Sequence, residues 1–89
     1  MTKILIIDDD EMMCSTLSAL VQRKGYAPSC ATSLGEGLQQ AQSEDFDLVF
    51  LDVRMPDGNG LDCLPLIDAA PSRPEVIIMT GFGDPDGAE

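Results

Sequence analysis

Short apolar runs alternate with amphipathic segments along the whole chain. Continuous apolar runs of this length are typical of parallel strands that are covered by helices on both faces. The second run is more polar than the others and contains Pro28, which indicates an edge strand. The pattern predicts strands at Lys3–Ile7, Tyr26–Ala31, Asp47–Leu51 and Glu75–Thr80.

The segments between these runs carry apolar residues three and four positions apart, as amphipathic helices do. The first predicted helix is Met12–Lys24, and Gly25 is a natural stop after it. The side chains predicted to face inward on this helix are Met13, Thr16, Leu17, Leu20 and Val21.

Two further helices are predicted. Ser33, with Glu36 three residues later, fits a capping box for a helix that ends near Gln42. Another helix ends near Ala70, and its Pro65 favours a start near Asp62, because proline needs no donor in the first turn. The side chains predicted to face inward on this last helix are Leu61, Leu64 and Ile67.

The resulting order β-α-β-α-β-α-β predicts one α/β domain. Short connections and right-handed crossovers give a three-layer, doubly wound parallel sheet. In such sheets, sites form outside the carboxyl ends of the strands. Asp8, Asp9, Asp52 and Thr80 all fall at carboxyl ends, so we expect them to share one edge.

Three carboxylates at one sheet edge repel one another. At about 5 Å and an effective dielectric constant near 20, each like-charge pair costs roughly 3 kcal/mol. Oxygen ligands without histidine or thiolate select a hard cation such as Mg²⁺, and Asp52 would then be a nucleophile toward phosphorus. Taken singly, each residue has a plainer explanation: a solvated helix N-terminus for Asp8 to Glu11, a turn residue for Asp52 and a strand end for Thr80.

Composition narrows the partners. The chain has 89 residues, a net charge of −11 and five basic residues, which argues against contact with nucleic acid or an anionic membrane surface. No apolar stretch is long enough to span a membrane and no signal peptide is visible, so a cytoplasmic location is expected. Cys14, Cys30 and Cys63 lie far apart in sequence, which indicates reduced thiols rather than a disulfide framework or a zinc site.

With these motifs in place, the sequence resembles the receiver domain of bacterial two-component response regulators. The resemblance covers the whole chain and rests on an apolar strand into Asp8-Asp9, Asp52-x-x-Met55-Pro56 with Gly60, and an apolar strand into Thr80-Gly81. The segments around Asp52 and Thr80 are further similar to receivers of nitrogen-regulation-type transcription activators. A flavodoxin-like fold with strand order 2-1-3-4 is implied.

The resemblance also implies roles. Asp52 matches the phosphoacceptor, and Asp8 and Asp9 match the acidic pair that holds Mg²⁺ together with the main-chain carbonyl of Arg54. Thr80 and Gly81 match the switch hydroxyl and the small residue that leaves room for the phosphoryl group. Met55, Pro56 and Gly60 shape the loop. The implied phosphoryl donor is a histidine kinase or a phosphotransfer protein.

Three elements of the family are expected to be missing. The resemblance implies a receiver truncated after the fourth strand and the first residues of the fourth helix, without the rest of that helix, the fifth strand and the fifth helix. The family's phosphoryl-binding lysine has no counterpart here, and Lys3 and Arg54 are candidates in name only. The fourth strand, Val76 to Met79, would then be an exposed edge that favours self-association, in a dimer or a larger species.

Three functions remain open at this point. The first is a signalling phosphoacceptor that switches a transcriptional output domain and is not an enzyme beyond slow self-dephosphorylation. The second is a magnesium phosphohydrolase, which is disfavoured because the residue two past Asp52 is Arg54 rather than a second acid. The third is a self-associating interaction module that is not phosphorylated.

Overall fold

The computed structural model describes residues 2–79, and the predictions for Thr80, Gly81 and the start of a further helix lie outside the described residues. The helices are α1 (Glu11–Arg23), α2 (Leu34–Ser43) and α3 (Gly60–Asp68). The strands are β1 (Lys3–Ile7), β2 (Ala27–Ala31), β3 (Leu48–Asp52), β4 (Arg54–Met55), β5 (Gly58–Asn59) and β6 (Glu75–Met79).

Four strands form one parallel sheet in the order β2-β1-β3-β6, which confirms the predicted winding. β1 is central and pairs with both β2 and β3, with Ile7 beside Ala31 on one side and Leu51 on the other. Pro28 lies in β2 at the edge of this sheet, as its missing N–H predicts.

Side chains that alternate along the strands build two apolar clusters, one on each face of the sheet. Leu5 and Ile7 point to the cluster that α2 and α3 cover, together with Phe46, Val49 and Leu51. Ile4 and Ile6 point the other way, toward Cys14 and Val21 of α1. The helices therefore cover both faces, and the carboxyl ends of the strands stay open between them.

The prediction for the buried face of α1 is partly wrong. Cys14 and Val21 are buried and Leu17 packs against them, whereas Met13, Thr16 and Leu20 are exposed. The described sheet touches only one side of the helix, so the contact stripe is narrower than the set of apolar positions. The sequence pattern located the helix and two of its inward residues, Leu17 and Val21, but it did not include Cys14.

The prediction for α3 is also corrected. The helix begins at Gly60 rather than Asp62, because the Asn59 side chain accepts a hydrogen bond from the Leu61 N–H at 2.8 Å and caps it. Pro65 consequently lies in the second turn rather than the first. Leu61 is 47% exposed, whereas Ile67 is buried and Leu64 packs against the core, as predicted. The other buried residues of the helix are Gly60 and Cys63.

The predicted cap of α2 is present in a modified form. The Ser33 hydroxyl accepts from the Glu36 N–H at 3.1 Å, as in a capping box. The Glu36 carboxylate reaches one residue further back, to the Thr32 N–H at 2.9 Å. Both bonds serve backbone donors at the start of α2 that the helix itself cannot satisfy.

Candidate functional site

Three carboxylates meet at the carboxyl edge of the sheet. Asp8 follows β1 directly and Asp52 is the last residue of β3, so the pairing of Ile7 with Leu51 brings them side by side. One oxygen from each of Asp8, Asp9 and Asp52 lies within 4.8 Å of the others. The structure thus places the three predicted acids in one cluster.

The three carboxylates of the cluster differ in their exposure to solvent. Asp8 is 6% exposed, Asp52 is half-buried and Asp9 is exposed. Burial raises the pKa of Asp8 above its ordinary value, and the charges of Asp52 and Asp9 raise it further. The Asp10 N–H, which donates to Asp8 Oδ1 at 2.9 Å, lowers the pKa but does not cancel the rise.

The acidic residues from Asp8 to Glu11 have two different roles, and the change occurs at Asp10. The Asp10 carboxylate accepts from the Met12 and Met13 N–H groups at 2.9 and 3.3 Å, which makes it the N-cap of α1. Glu11 lies in the first helical turn, where the positive helix end favours an acid. The helix-terminus explanation therefore holds for Asp10 and Glu11, while Asp8 and Asp9 belong to the carboxylate cluster.

The loop after Asp52 is more ordered than the sequence predicts. Arg54-Met55 and Gly58-Asn59 form a small antiparallel ribbon rather than an irregular loop. The Arg54 N–H donates to Asp52 Oδ1 at 3.2 Å, and the Gly60 N–H donates to the Val53 carbonyl at 2.7 Å. These bonds fix the backbone of residues 52–60 and so help to position Asp52, the candidate phosphoacceptor.

Two residues of the predicted loop motif have clear packing roles. Met55 is buried in the α2/α3 cluster and anchors the ribbon to the core. Gly60 lies so close to the main-chain oxygen of Asp52 that a Cβ would overlap it. A side chain at position 60 would therefore displace the end of β3.

Sequence reasoning missed Asp57. Its carboxylate, in the turn between β4 and β5, accepts from the Leu34 N–H at 3.0 Å and the Gly35 N–H at 3.1 Å. These two bonds lower the pKa of Asp57 below its ordinary value. A loop acid that caps a helix beginning 23 residues earlier leaves no local sequence signal beyond its place beside Gly58.

Lys3 lies at the opposite end of β1 from the acids. Its ammonium pairs with Glu44 at 2.8 Å and sits 5.2 Å from the centroid of the Phe46 ring. It is therefore no substitute for a phosphoryl-binding lysine.

The donor set fits a small hard cation. The ligand atoms are carboxylate oxygens, and the charges of Asp52 and Asp9 add to the burial that raises the pKa of Asp8. Magnesium is typically held by one or two carboxylates and keeps several waters, which suits a cluster that is buried on one side and open on the other.

Comparison with known proteins identifies the family. The model of the response regulator receiver domain matches residues 4–89. The chain belongs to this family. Over 85 residues it is 38% identical to the transcriptional regulatory protein ZraR of Escherichia coli K12, and the match covers 96% of this chain but 19% of ZraR. It matches 42% of the length of ActR of Rhizobium meliloti at 31% identity, so the chain spans less than half of either relative.

Solved receiver structures superimpose closely on this receiver. TrrA of Thermotoga maritima, in complex with Mg²⁺-BeF, gives a TM-score of 0.84 at 30% identity and covers 92% of this chain and 71% of its own. The beryllofluoride-activated NtrC4 receiver domain dimer also gives 0.84, at 36% identity, with coverage of 99% and 73%. The similarity to nitrogen-regulation-type activators is thereby confirmed. Among the described residues, no helix is both long and apolar enough to cross a bilayer.

Proposed function

We propose that this receiver accepts a phosphoryl group on Asp52 from the phosphohistidine of a partner kinase or phosphotransfer protein, in a Mg²⁺-dependent step. The observation that supports it most is the convergence of Asp8, Asp9 and Asp52 within 4.8 Å at the end of two paired strands. TrrA, which was solved with Mg²⁺-BeF, supports the same assignment by similarity.

The proposed transfer is a displacement at phosphorus. A carboxylate oxygen of Asp52 forms the new P–O bond, the P–N bond of the donor breaks, and the released imidazole nitrogen takes up a proton. A bound Mg²⁺, held by the three acids and the Arg54 carbonyl, would neutralise charge on the phosphoryl group. The Arg54 N–H orients Asp52 through the 3.2 Å bond. Thr80 and Gly81 keep their proposed roles in binding the phosphoryl group.

Intact-mass spectrometry after incubation with acetyl phosphate tests this proposal. We expect one phosphoryl group to be added with Mg²⁺ and none with a chelator or in Asp52→Asn. Asp62→Asn, which removes an exposed carboxyl from the first turn of α3, is the matched control and retains the addition. Addition that persists in Asp52→Asn, or without metal, would contradict the assignment.

The proposed output is signalling rather than turnover. ZraR is a transcriptional regulatory protein, and we infer that the phosphorylated receiver switches such an output domain in a longer protein located in the cytoplasm. A phosphohydrolase would release phosphate from an added ester over many turnovers. We expect at most one phosphoryl group per chain, followed by slow self-hydrolysis.

Self-association through β6 is the second proposal. Among residues 2–79, β6 hydrogen-bonds as a strand to β3 alone, and its Ile77 is 46% exposed. The NtrC4 receiver, which is similar, was solved as a dimer. If the module is not phosphorylated, this association would be its function.

Mass measured in solution over a range of concentrations tests this interface. We expect a dimer or larger species in the parent chain and a monomer in Ile77→Lys. Leu61→Lys is the matched control, because Leu61 is equally exposed but lies on α3. A monomeric mass at all concentrations, or equal effects of the two substitutions, would contradict an interface at β6.

A further inference from the structure

Two cysteines that are 16 positions apart in sequence meet between α1 and β2. Cys14 lies on the inner face of α1, and Cys30 lies in β2 and packs against the same apolar cluster. Burial and the neighbouring Cys30 thiol raise the pKa of Cys14 to about 12. The three cysteines are free thiols, as the sequence predicts, and Cys14 and Cys30 line the same pocket.

The pair is reachable from solvent through one of its members. An open pocket of about 480 Å³ is lined by both cysteines, by Ser18 and by Glu11 and Thr32 at its rim. Cys14 is 5% exposed, whereas Cys30 is half-buried. A small reagent in this pocket thus meets Cys30 before Cys14.

Ser18 gives the pocket a polar group aimed at the more accessible thiol. Its hydroxyl oxygen lies 3.2 Å from Cys30 Sγ. Cys14 Sγ lies 3.5 Å from the Asp8 carbonyl oxygen, to which it donates.

We propose that Cys14 and Cys30 form a thiol modification site that a hydroperoxide converts into an intrachain disulfide. In the first step Cys30 sulfur attacks a peroxide oxygen and the O–O bond breaks. Cys30 becomes a sulfenic acid, and the leaving oxygen takes the thiol proton as water or an alcohol. In the second step Cys14 sulfur attacks Cys30 sulfur, the S–O bond breaks, and the hydroxyl leaves as water with the Cys14 proton.

The third cysteine provides an internal control. Cys63 is buried on α3 in the cluster on the opposite face of the sheet. The sheet separates it from the other two thiols, so a native chain has no route to a link with Cys63. Random oxidation of an unfolded chain would use all three thiols.

Peptide mapping of the full chain tests the site. The protein is treated with hydrogen peroxide, remaining thiols are blocked with N-ethylmaleimide, and the chain is digested with trypsin without reductant. Because trypsin does not cleave before proline, the Arg73-Pro74 bond stays intact and the three cysteines fall in three peptides: 4–23, 25–54 and 55–89.

We expect a cross-linked 4–23/25–54 species, two hydrogen atoms lighter than the sum of its peptides and cleaved by dithiothreitol. Cys30→Ser abolishes it and leaves Cys14 free, and Cys63→Ser leaves its yield unchanged. In concentrated urea the preference for this pair is lost. Links to 55–89 in equal yield from the native protein, Cys30 oxidised to a sulfinic acid beside a free Cys14, or no oxidation of Cys30 would overturn the proposal.

Discussion

The carboxylate of Asp57 caps the first turn of α2 through the Leu34 N–H, across 23 residues of chain. A second bond, from the Gly35 N–H, makes the contact two-pronged. The turn that carries Asp57 belongs to the segment that orients Asp52. The start of α2 and the loop of the candidate site are thus tied together by one side chain.

This tie predicts a specific loss of stability in acid. Because the pKa of Asp57 is lowered from 3.8 in the folded state, its stabilising effect is present above pH 3.8 and is lost as the pH falls below it. Asp57→Asn should therefore lower the urea midpoint at neutral pH, and the difference from the parent should vanish on acidification.

The control for Asp57 is Asp45→Asn, an exposed carboxyl between α2 and β3. Its urea midpoint should follow the parent across the same pH range. A difference between the parent and Asp57→Asn that does not change with pH would mean that the charge of Asp57 is not what stabilises the turn.

Two glycines of α2 should respond to alanine in opposite directions. A Cβ at Gly37 would lie 2.5 Å from Cδ1 and 2.8 Å from Cγ1 of the fully buried Ile7, so Gly37→Ala should lose about 1–3 kcal/mol by overpacking. At Gly35 the nearest contact is an ordinary 3.8 Å, and Gly35→Ala should gain up to about 1 kcal/mol of helix propensity. Urea unfolding of both variants measures the two changes, and equal signs would contradict the close packing of α2 on β1.

Removing the buried charge of Asp8 should stabilise the metal-free protein. A carboxyl whose pKa is raised by burial destabilises the folded state where it is ionised, and below pH 3.8 it is protonated in both states. Asp8→Asn should therefore raise the thermal midpoint at neutral pH in chelator but not in strong acid. Asp10→Asn, which preserves an N-cap, should change stability by about 0.5 kcal/mol or less.

In Mg²⁺ the parent should be more stable than Asp8→Asn, which reverses their order in chelator. A ligand at 100 times its dissociation constant stabilises the folded state by about 2.7 kcal/mol. Mg²⁺ should therefore raise the urea midpoint of the parent well above its value in chelator. Asp8→Asn should gain much less. The measurement is the urea midpoint in Mg²⁺ and in chelator, and an equal gain in both proteins would exclude Asp8 as a ligand.

The corrected face of α3 predicts unequal effects of truncating its two apolar side chains. Ile67 is fully buried, so Ile67→Ala should lose about 2–5 kcal/mol. Leu61 is 47% exposed, and Leu61→Ala should change stability by about 0.5 kcal/mol or less. If denaturant unfolding shows similar losses of stability for the two variants, Leu61 faces inward as the sequence predicted.

Features carried by one element or by strand order were predictable from the sequence. The winding of the sheet, the edge position of Pro28 and the meeting of Asp8 with Asp52 follow from apolar runs that end in acids. These are consequences of topology, because parallel neighbours present their carboxyl ends at one edge whatever the details of packing.

Features that depend on contact between distant segments were not predictable. A glycine within a helical pattern does not reveal that Ile7 leaves no room for a side chain at Gly37. Asp57 and the Cys14–Cys30 pair likewise depend on partners in other elements. Pro65 predicted a start of α3 that is two residues too late. The Asn59 cap and the close approach of Gly60 to Asp52 outweigh the preference of proline for the first turn.

The central position of β1 also bears on how the chain is made. Ile7 leaves the ribosome about 44 positions before its partner in β3, Leu51. At about 5–20 residues per second, this apolar strand waits roughly 2–9 s with only one of its two neighbours available. The nascent chain therefore passes through a period in which β1 is open to non-native pairing, and the sheet that carries the acids can close around it only after Asp52 has emerged.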